Sequence, residues 1–215
     1  MGRRNSTQEI PVFGVTGASG SGKTPVLQQI VRVLTSRGWR VAVIKHCPHG
    51  FQWDDADRDS GKLSAAGAET VALAADASWA IISRTQEPIA SQEQVASPGQ
   101  TAEEQVAEET VTATASGEGI VTAVCAARQA MGQDPPDLFL VEGFHRWDIP
   151  SVHVLGPRDR PPGSGCVALV RGPLLSSSSF APSAAPTSGS RLPIYAWDDP
   201  ALADLVEDIL QLRGE

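Results

Sequence analysis

The sequence predicts an α/β fold: a doubly wound, mostly parallel sheet with helices on both faces. Three observations point there. Short apolar runs alternate with stretches of helical periodicity, the order that βαβ units leave in a chain. The runs are apolar nearly throughout, as strands buried on both faces are. The first run, moreover, ends in a Gly-rich turn that opens directly into a helix.

The elements follow in order. Pro11-Val-Phe-Gly-Val-Thr16 reads as a buried strand. Val26, Leu27, Ile30, Val31 and Leu34 then form one apolar helical stripe, and Gly38 stands where a C′ glycine belongs. Trp39–Lys45 is a second strand, and a polar loop, His46–Arg58, leads to a short helix near Ser60–Ala66 closed by Gly67. Thr70–Ala75 and Trp79–Ser83 are two more strands. Residues 85–118 are rich in Gln, Glu, Thr, Ala and Ser, too poor in apolar surface to order themselves. They are expected to form a flexible acidic insertion, with a helical turn near Glu103–Glu109. Ile120, Val124 and Met131 mark the next helix and Gly132 its end. Asp137–Glu142 is the most apolar strand, and Ser151–Leu155 and Cys166–Val170 are weaker candidates. Residues 173–191, rich in Ser, Pro and Ala, form a second flexible segment. Pro193–Trp197 is a strand, and a last helix has Asp199 as N-cap, Pro200 at N1, and Leu202, Leu205, Val206, Ile209 and Leu210 inward. The expectation is one domain over residues 11–215 without internal repeats.

Composition narrows the class. Of 215 residues, 41% are hydrophobic and 20% charged, and the nearest approach to a long apolar run, Val71–Ile82, is broken by Asp76. No membrane span is expected. Arg3 and Arg4 are not followed by an apolar stretch, so Met1–Ile10 does not read as a signal peptide. Cys47, Cys125 and Cys166 make no disulfide framework. Together these predict a cytoplasmic protein. Of the net charge of −8, seven negative charges come from the glutamates of Thr85–Gly119, which contains no Lys or Arg. The rest of the chain is therefore close to neutral, without the basic footprint of a nucleic-acid binder.

Gly17-Ala18-Ser19-Gly20-Ser21-Gly22-Lys23-Thr24 matches G-x-x-x-x-G-K-[ST] in full, between an expected strand and an expected helix. Each part has a physical task. Glycines let successive backbone N–H groups turn toward phosphate oxygens, and the helix N-terminus adds partial positive charge. Lys23 reaches the β- and γ-phosphates, and the Thr24 hydroxyl ligates Mg²⁺. Lys23 is one of only three lysines beside fourteen arginines, a bias that suits a compact ammonium at a special position. Pro25 is tolerable because the first helical turn has no N–H partner to lose. A second carboxylate is expected beside the metal at the end of a buried strand, and Glu142 stands there. It is the candidate for holding a metal-bound water or orienting an attacking one. Gly143, in this reading, removes a side chain that would crowd a phosphate.

Other clusters carry less. Asp55-x-Asp57-x-Asp59 starts like a calcium loop, but the glycine falls late, at Gly61, and Ala66 stands where the bidentate acid belongs. Asp59 and Ser60 suit helix capping, and Asp54 is a loop acid. His46-Cys47-Pro48-His49 offers metal ligands, but no second Cys/His pair stands at ligand spacing. Cys125 and Cys166 read as core residues, and His145 and His153 as either surface or functional.

At this point Val43-Ile-Lys-His46, His49, Phe51, Asp54, Asp59-Ser60, Ala66-Gly-Ala68 and Asp137-Leu-Phe-Leu-Val-Glu-Gly-Phe144 together resemble the molybdopterin-guanine dinucleotide biosynthesis adaptor (MobB) family. The resemblance runs from about Val12 to Leu155 and resumes in the last strand and helix. It implies a P-loop NTPase fold that binds GTP with Mg²⁺, is often a homodimer, and hydrolyses GTP slowly at most. The implied partners are the molybdenum cofactor guanylyltransferase and the molybdopterin cofactor it carries. By that matching Gly17–Thr24 bind phosphates, Lys45, His46, Asp54, Asp59 and Glu142 line the site, and Thr24 and Glu142 hold the metal. The chain departs from the family pattern at Pro48, where a further His is common, and at His145, where a Lys is common. It also has Val170-Arg171-Gly172 where an Asp commonly follows the strand, and no Asn-Lys-x-Asp guanine motif occurs anywhere. Two rivals remain from the residues themselves. A metallochaperone-type GTPase would use His46, Cys47 and His49. A small-molecule kinase would usually close an Arg-bearing lid, and the long insertion has no Arg or Lys.

Overall fold

The computed structural model describes residues 10–47, 59–75, 79–83, 116–144, 147–156, 161–173 and 192–212. Eight strands form one sheet: β1 (Val12–Gly17), β2 (Val41–His46), β3 (Thr70–Ala74), β4 (Trp79–Ser83), β5 (Leu138–Glu142), β6 (Ser151–Leu155), β7 (Cys166–Arg171) and β8 (Ile194–Ala196). Their order is β4-β3-β2-β5-β1-β6-β7-β8, parallel throughout except for the antiparallel β3–β4 pair. From β1 the chain winds out to β4, then returns through β5 and winds the other way to β8. The order therefore reverses around β5 and β1, where open α/β sheets place their ligands beyond the carboxyl ends of the strands.

The helices are α1 (Lys23–Ser36), α2 (Asp59–Ala65), α3 (Gly117–Ala130) and α4 (Ala201–Ile209). One core face gathers Val26, Leu27, Leu63, Leu202 and Val206 from α1, α2 and α4 onto Phe13, Val15, Val43, Leu140, Val152 and Val154. The opposite face sets Ile120 and Val124 of α3 against Ala42, Ile44, Ala72, Phe139 and Val141. Alternate residues of β2 and β5 thus feed opposite cores, which is why these strands read as continuous apolar runs.

Several boundaries move. Strand β2 begins at Val41, because Trp39 turns its indole toward α4: Trp39 Nε1 donates to Glu207 Oε1 at 2.7 Å. Helix α3 starts at Gly117, capped by Ser116 Oγ accepting from Gly119 N at 3.1 Å, so it includes the last residues of the segment expected at 85–118. The remainder of that segment, the turn expected at Glu103–Glu109, and residues 174–191 lie outside the described residues. Met131, 47% exposed, and Ile209, 38% exposed, face outward rather than joining their helices' apolar stripes. Ala203 and Glu207 take the inward places on α4. The N-cap of α4 is Pro200, one residue later than expected, and Asp199 Oδ1 accepts from Ala201 N at 2.9 Å.

Glu207 is 2% exposed and accepts Arg37 Nη1 at 2.8 Å as well as the Trp39 indole. It fastens α4 to the C-terminal end of α1. Glu207→Ala is expected to lower unfolding free energy by about 1 kcal/mol, since a half-buried indole N–H loses its acceptor while Arg37 keeps Asp204. Urea denaturation of the two proteins measures it.

Candidate functional site

The turn between β1 and α1 is built by glycines. Gly17, Gly20 and Gly22 all have positive φ, 138°, 74° and 92°. A Cβ on Gly17 would lie 2.5 Å from the Val154 carbonyl oxygen, and one on Gly22 would lie 2.4 Å from Pro173 Cδ. Over Gly20 nothing lies within 4 Å. Ser19 and Gly20 form the exposed lip of the turn and Ala18 is half-buried. Lys23 Nζ donates to the Gly17 and Ala18 carbonyls at 3.1 and 2.7 Å, which holds the ammonium over the turn.

The start of α1 differs from that of α3, which Ser116 caps and Glu118 follows. Gly22 is the N-cap of α1, no side chain caps it, and its first turn contains no acid. Its leading N–H groups and the positive end of its dipole are left for an anion. Ser21 adds a further donor: the residue is 1% exposed and among the described residues its Oγ has no hydrogen-bond partner. An uncapped helix, a glycine cradle, a lysine and an orphaned hydroxyl are together the donor set a polyphosphate requires.

Beside the cradle, three side chains from three elements meet. Thr24 Oγ1 donates to Glu142, 3.0 Å from Oε2 and 3.3 Å from Oε1. Lys45 Nζ lies 2.9 Å from Glu142 Oε1 and 3.1 Å from Thr24 Oγ1. Sheet register makes the meeting possible, since Glu142 of β5 pairs with Val15 of β1 and with Lys45 of β2. Thr24 and Glu142 are buried, 8% and 6% exposed. A hydroxyl and a carboxylate side by side are oxygen ligands of the kind Mg²⁺ takes together with phosphate oxygens and waters.

Of the remaining expected residues, His46 follows Lys45 and its ring meets Phe144 with centroids 5.1 Å apart. Asp59 opens α2, and its side chain lies outside the described residues. Asp54 and His49 also lie outside them. Among the described residues no group of three His, Cys, Asp or Glu side chains could hold a metal ion. Burial pushes the Cys125 thiol up, and does the same for Cys166. Gly143 has a reason the sequence did not display: its φ is 96°, and a Cβ there would lie 3.2 Å from His46 Cβ. The glycine serves the turn after β5 and the approach of β2.

Sequence reasoning passed over two glycines. Gly156 and Gly172 follow β6 and β7 and abut the phosphate turn from below. A Cβ on Gly156 would lie 2.6 Å from Ser21 Cβ, and one on Gly172 would lie 2.2 Å from the Ser21 carbonyl oxygen. The available signal was a glycine directly after each of two strands.

A strand, a Gly-x-x-x-x-Gly-Lys-Thr turn and a helix at the switch point of a parallel sheet define a P-loop domain of the NTPase type. Residues 12–108 match the model of the family "Molybdopterin guanine dinucleotide synthesis protein B" (MobB). That match covers a little under half of the chain. The chain is similar to the molybdopterin-guanine dinucleotide biosynthesis adapter protein of Haemophilus influenzae, 44% identical over 81 residues, 38% of this chain and 46% of that protein. The Escherichia coli K12 adapter protein is 36% identical over 76 residues, 35% of this chain and 43% of that protein. The alignments thus span less than half the length of these relatives. A tetraacyldisaccharide 4'-kinase of Acidithiobacillus ferrooxidans is 40% identical over 69 residues, 28% of this chain and 20% of that one. Among solved structures, MobB of Bacillus subtilis covers 95% of this chain and 99% of its own, at 20% identity and a TM-score of 0.45. A MobB homolog from Bacillus stearothermophilus covers 94% and 99%, at 18% and 0.41. Likeness of that size does not by itself define a shared fold. Among the described residues no helix is long and apolar enough to cross a membrane.

Glu142→Gln is expected to leave Mg²⁺-nucleotide binding largely intact and to lower any hydrolysis. The amide keeps the shape of the Thr24 contact and loses the charge that holds or orients a water. Single-turnover rates of mutant and parent decide it, and equal rates would make Glu142 a structural partner of Lys45.

Proposed function

We propose that the chain is a GTP-binding adaptor in molybdopterin-guanine dinucleotide biosynthesis, assisting the molybdenum cofactor guanylyltransferase and hydrolysing GTP slowly at most. The observation that carries the reading is the joining of a complete phosphate cradle to the Thr24–Lys45–Glu142 cluster, with the cradle, Thr24 and Lys45 inside the MobB-matching segment and Glu142 beyond it. Gly17–Lys23 would hold the phosphates, and Thr24 and Glu142 the Mg²⁺. The cation supplies charge neutralisation between phosphate oxygens. Lys45 Nζ lies against Thr24 Oγ1 and Glu142 Oε1, so it would give up these contacts to a metal held by the same pair. His46 and the acids Asp54 and Asp59 complete the site in this reading, and the chain works as a homodimer in the cytoplasm.

The experiment is a pull-down with purified guanylyltransferase carrying molybdopterin, run with Mg²⁺-GTP, with Mg²⁺-ATP and without nucleotide. The expected result is association strongest with GTP, of about micromolar strength, near −8 kcal/mol. Absence of association under all conditions would contradict it. The similarity to a 4'-kinase keeps one rival in view. Multiple-turnover phosphoryl transfer to an added acceptor would favour that rival.

A further inference from the structure

We infer a second ligand site on the sheet face away from α1, taking a small, planar, uncharged heterocycle that carries an amino group. It goes beyond the adaptor reading and does not depend on it. The starting point is an anomaly in β6. All five of its residues are buried, yet Ser151 and His153 alternate with Val152 and Val154. The valines join the core under α1, so the polar pair faces the other way. A parallel strand covered on both faces is ordinarily apolar on both.

The neighbouring strand completes the floor. Gly14 pairs with Ser151, and Thr16 with His153. A Cβ on Gly14 would lie 2.9 Å from Ser151 Cβ and 3.4 Å from Ile149 Cδ1. The glycine therefore keeps the floor flat. Above it is a cavity of about 190 Å³ with Thr16, Ser151 and His153 below and Trp147, Asp148 and Ser164 around it. Ser164 Oγ donates to Asp148 Oδ1 at 2.8 Å, tying the loop before β6 to the loop before β7.

The chemistry of the lining sets the ligand class. Thr16 Oγ1 lies 3.2 Å from the Val152 carbonyl oxygen and 3.2 Å from His153 Nδ1. The hydroxyl has one proton, which goes to the carbonyl. Nδ1 then carries the ring proton and donates to Thr16, a tautomer assigned from the network, which makes Nε2 an acceptor. Ser151 is 5% exposed and lines the cavity, where its hydroxyl can donate to or accept from a polar ligand. Asp148 is the one charged residue among the described lining residues, so an anion is disfavoured and a donor such as an amino group is favoured. At about 30 Å³ per water, the volume equals roughly six waters, room for a one- or two-ring molecule. The flat floor and the Trp147 ring select a planar one.

The test is an amide NMR titration of the full chain with 2-aminopyrimidin-4-one, with inorganic pyrophosphate as a separate arm. The pyrimidinone is expected to shift Ser151, His153 and Gly163 saturably, and pyrophosphate to shift Gly20–Lys23 instead. Ser151→Ala should weaken pyrimidinone binding about threefold or more. Gly163→Leu should abolish it, at a lining position where an added Cβ meets nothing within 4 Å. Retained pyrophosphate shifts show that both variants are folded. No saturable shift, shifts centred on Gly20–Thr24, or unchanged pyrimidinone affinity in both variants would overturn the site; Gly17 borders the cavity and does not discriminate.

Discussion

Lys23→Ala is expected to weaken binding of a Mg²⁺-nucleoside triphosphate by about tenfold to a hundredfold. The ammonium is held over the phosphate turn by the Gly17 and Ala18 carbonyls, so it meets a phosphate without the entropy cost of fixing a free side chain. Losing one charge-assisted contact of that kind removes roughly 1.5–3 kcal/mol. Fold stability should change little, because both carbonyl acceptors border the open side of the turn. Calorimetric titration of the two proteins with the same nucleotide reads the loss. Unchanged affinity would remove the phosphate role from the turn.

The second large effect is expected at a residue remote in sequence from the turn. Gly172→Ala would place a Cβ 2.2 Å from the Ser21 carbonyl oxygen and 2.8 Å from the Leu155 carbonyl oxygen. Both obstacles are backbone, so no rotamer change relieves the overlap. The cost is about 3 kcal/mol of stability, and nucleotide affinity falls with it because Ser21 belongs to the cradle. Gly163→Ala, where the added Cβ meets nothing within 4 Å, is the control and should be neutral. Urea denaturation and nucleotide titration measure the two consequences separately. A Gly172→Ala protein with parental stability and affinity would mean that the end of β7 does not support the turn.

Much of this architecture was legible from residue order. Strand β1, the glycine turn and α1 announce themselves by apolar run, motif and helical stripe, and the buried set of α1 is the stripe the sequence displays. Glu142 was legible because an acid that ends the most apolar run of a chain must emerge beside whatever that strand borders. What the sequence could not display was lateral order. That Lys45 reaches both Thr24 and Glu142 follows from β5 lying between β1 and β2, which no local pattern encodes. The same holds for Gly156 and Gly172 beneath Ser21, and for Thr16 beside His153. Gly143 carries a constraint hidden for a related cause, its own positive φ and the approach of a neighbouring strand. On α4, helical periodicity put Ile209 inside, but Glu207 takes an inward place because Arg37 and Trp39 converge on it.

The account rests on the Gly17–Thr24 turn and the Thr24–Glu142 pair forming a Mg²⁺-GTP site. The most direct measurement is a calorimetric titration of the parent chain with GTP and with ATP, each with Mg²⁺ and with the metal chelated. The account predicts saturable binding of one Mg²⁺-GTP per chain, weaker binding of Mg²⁺-ATP, and a marked loss of GTP affinity without the metal. No binding of either nucleotide, or ATP bound as tightly as GTP, would contradict it.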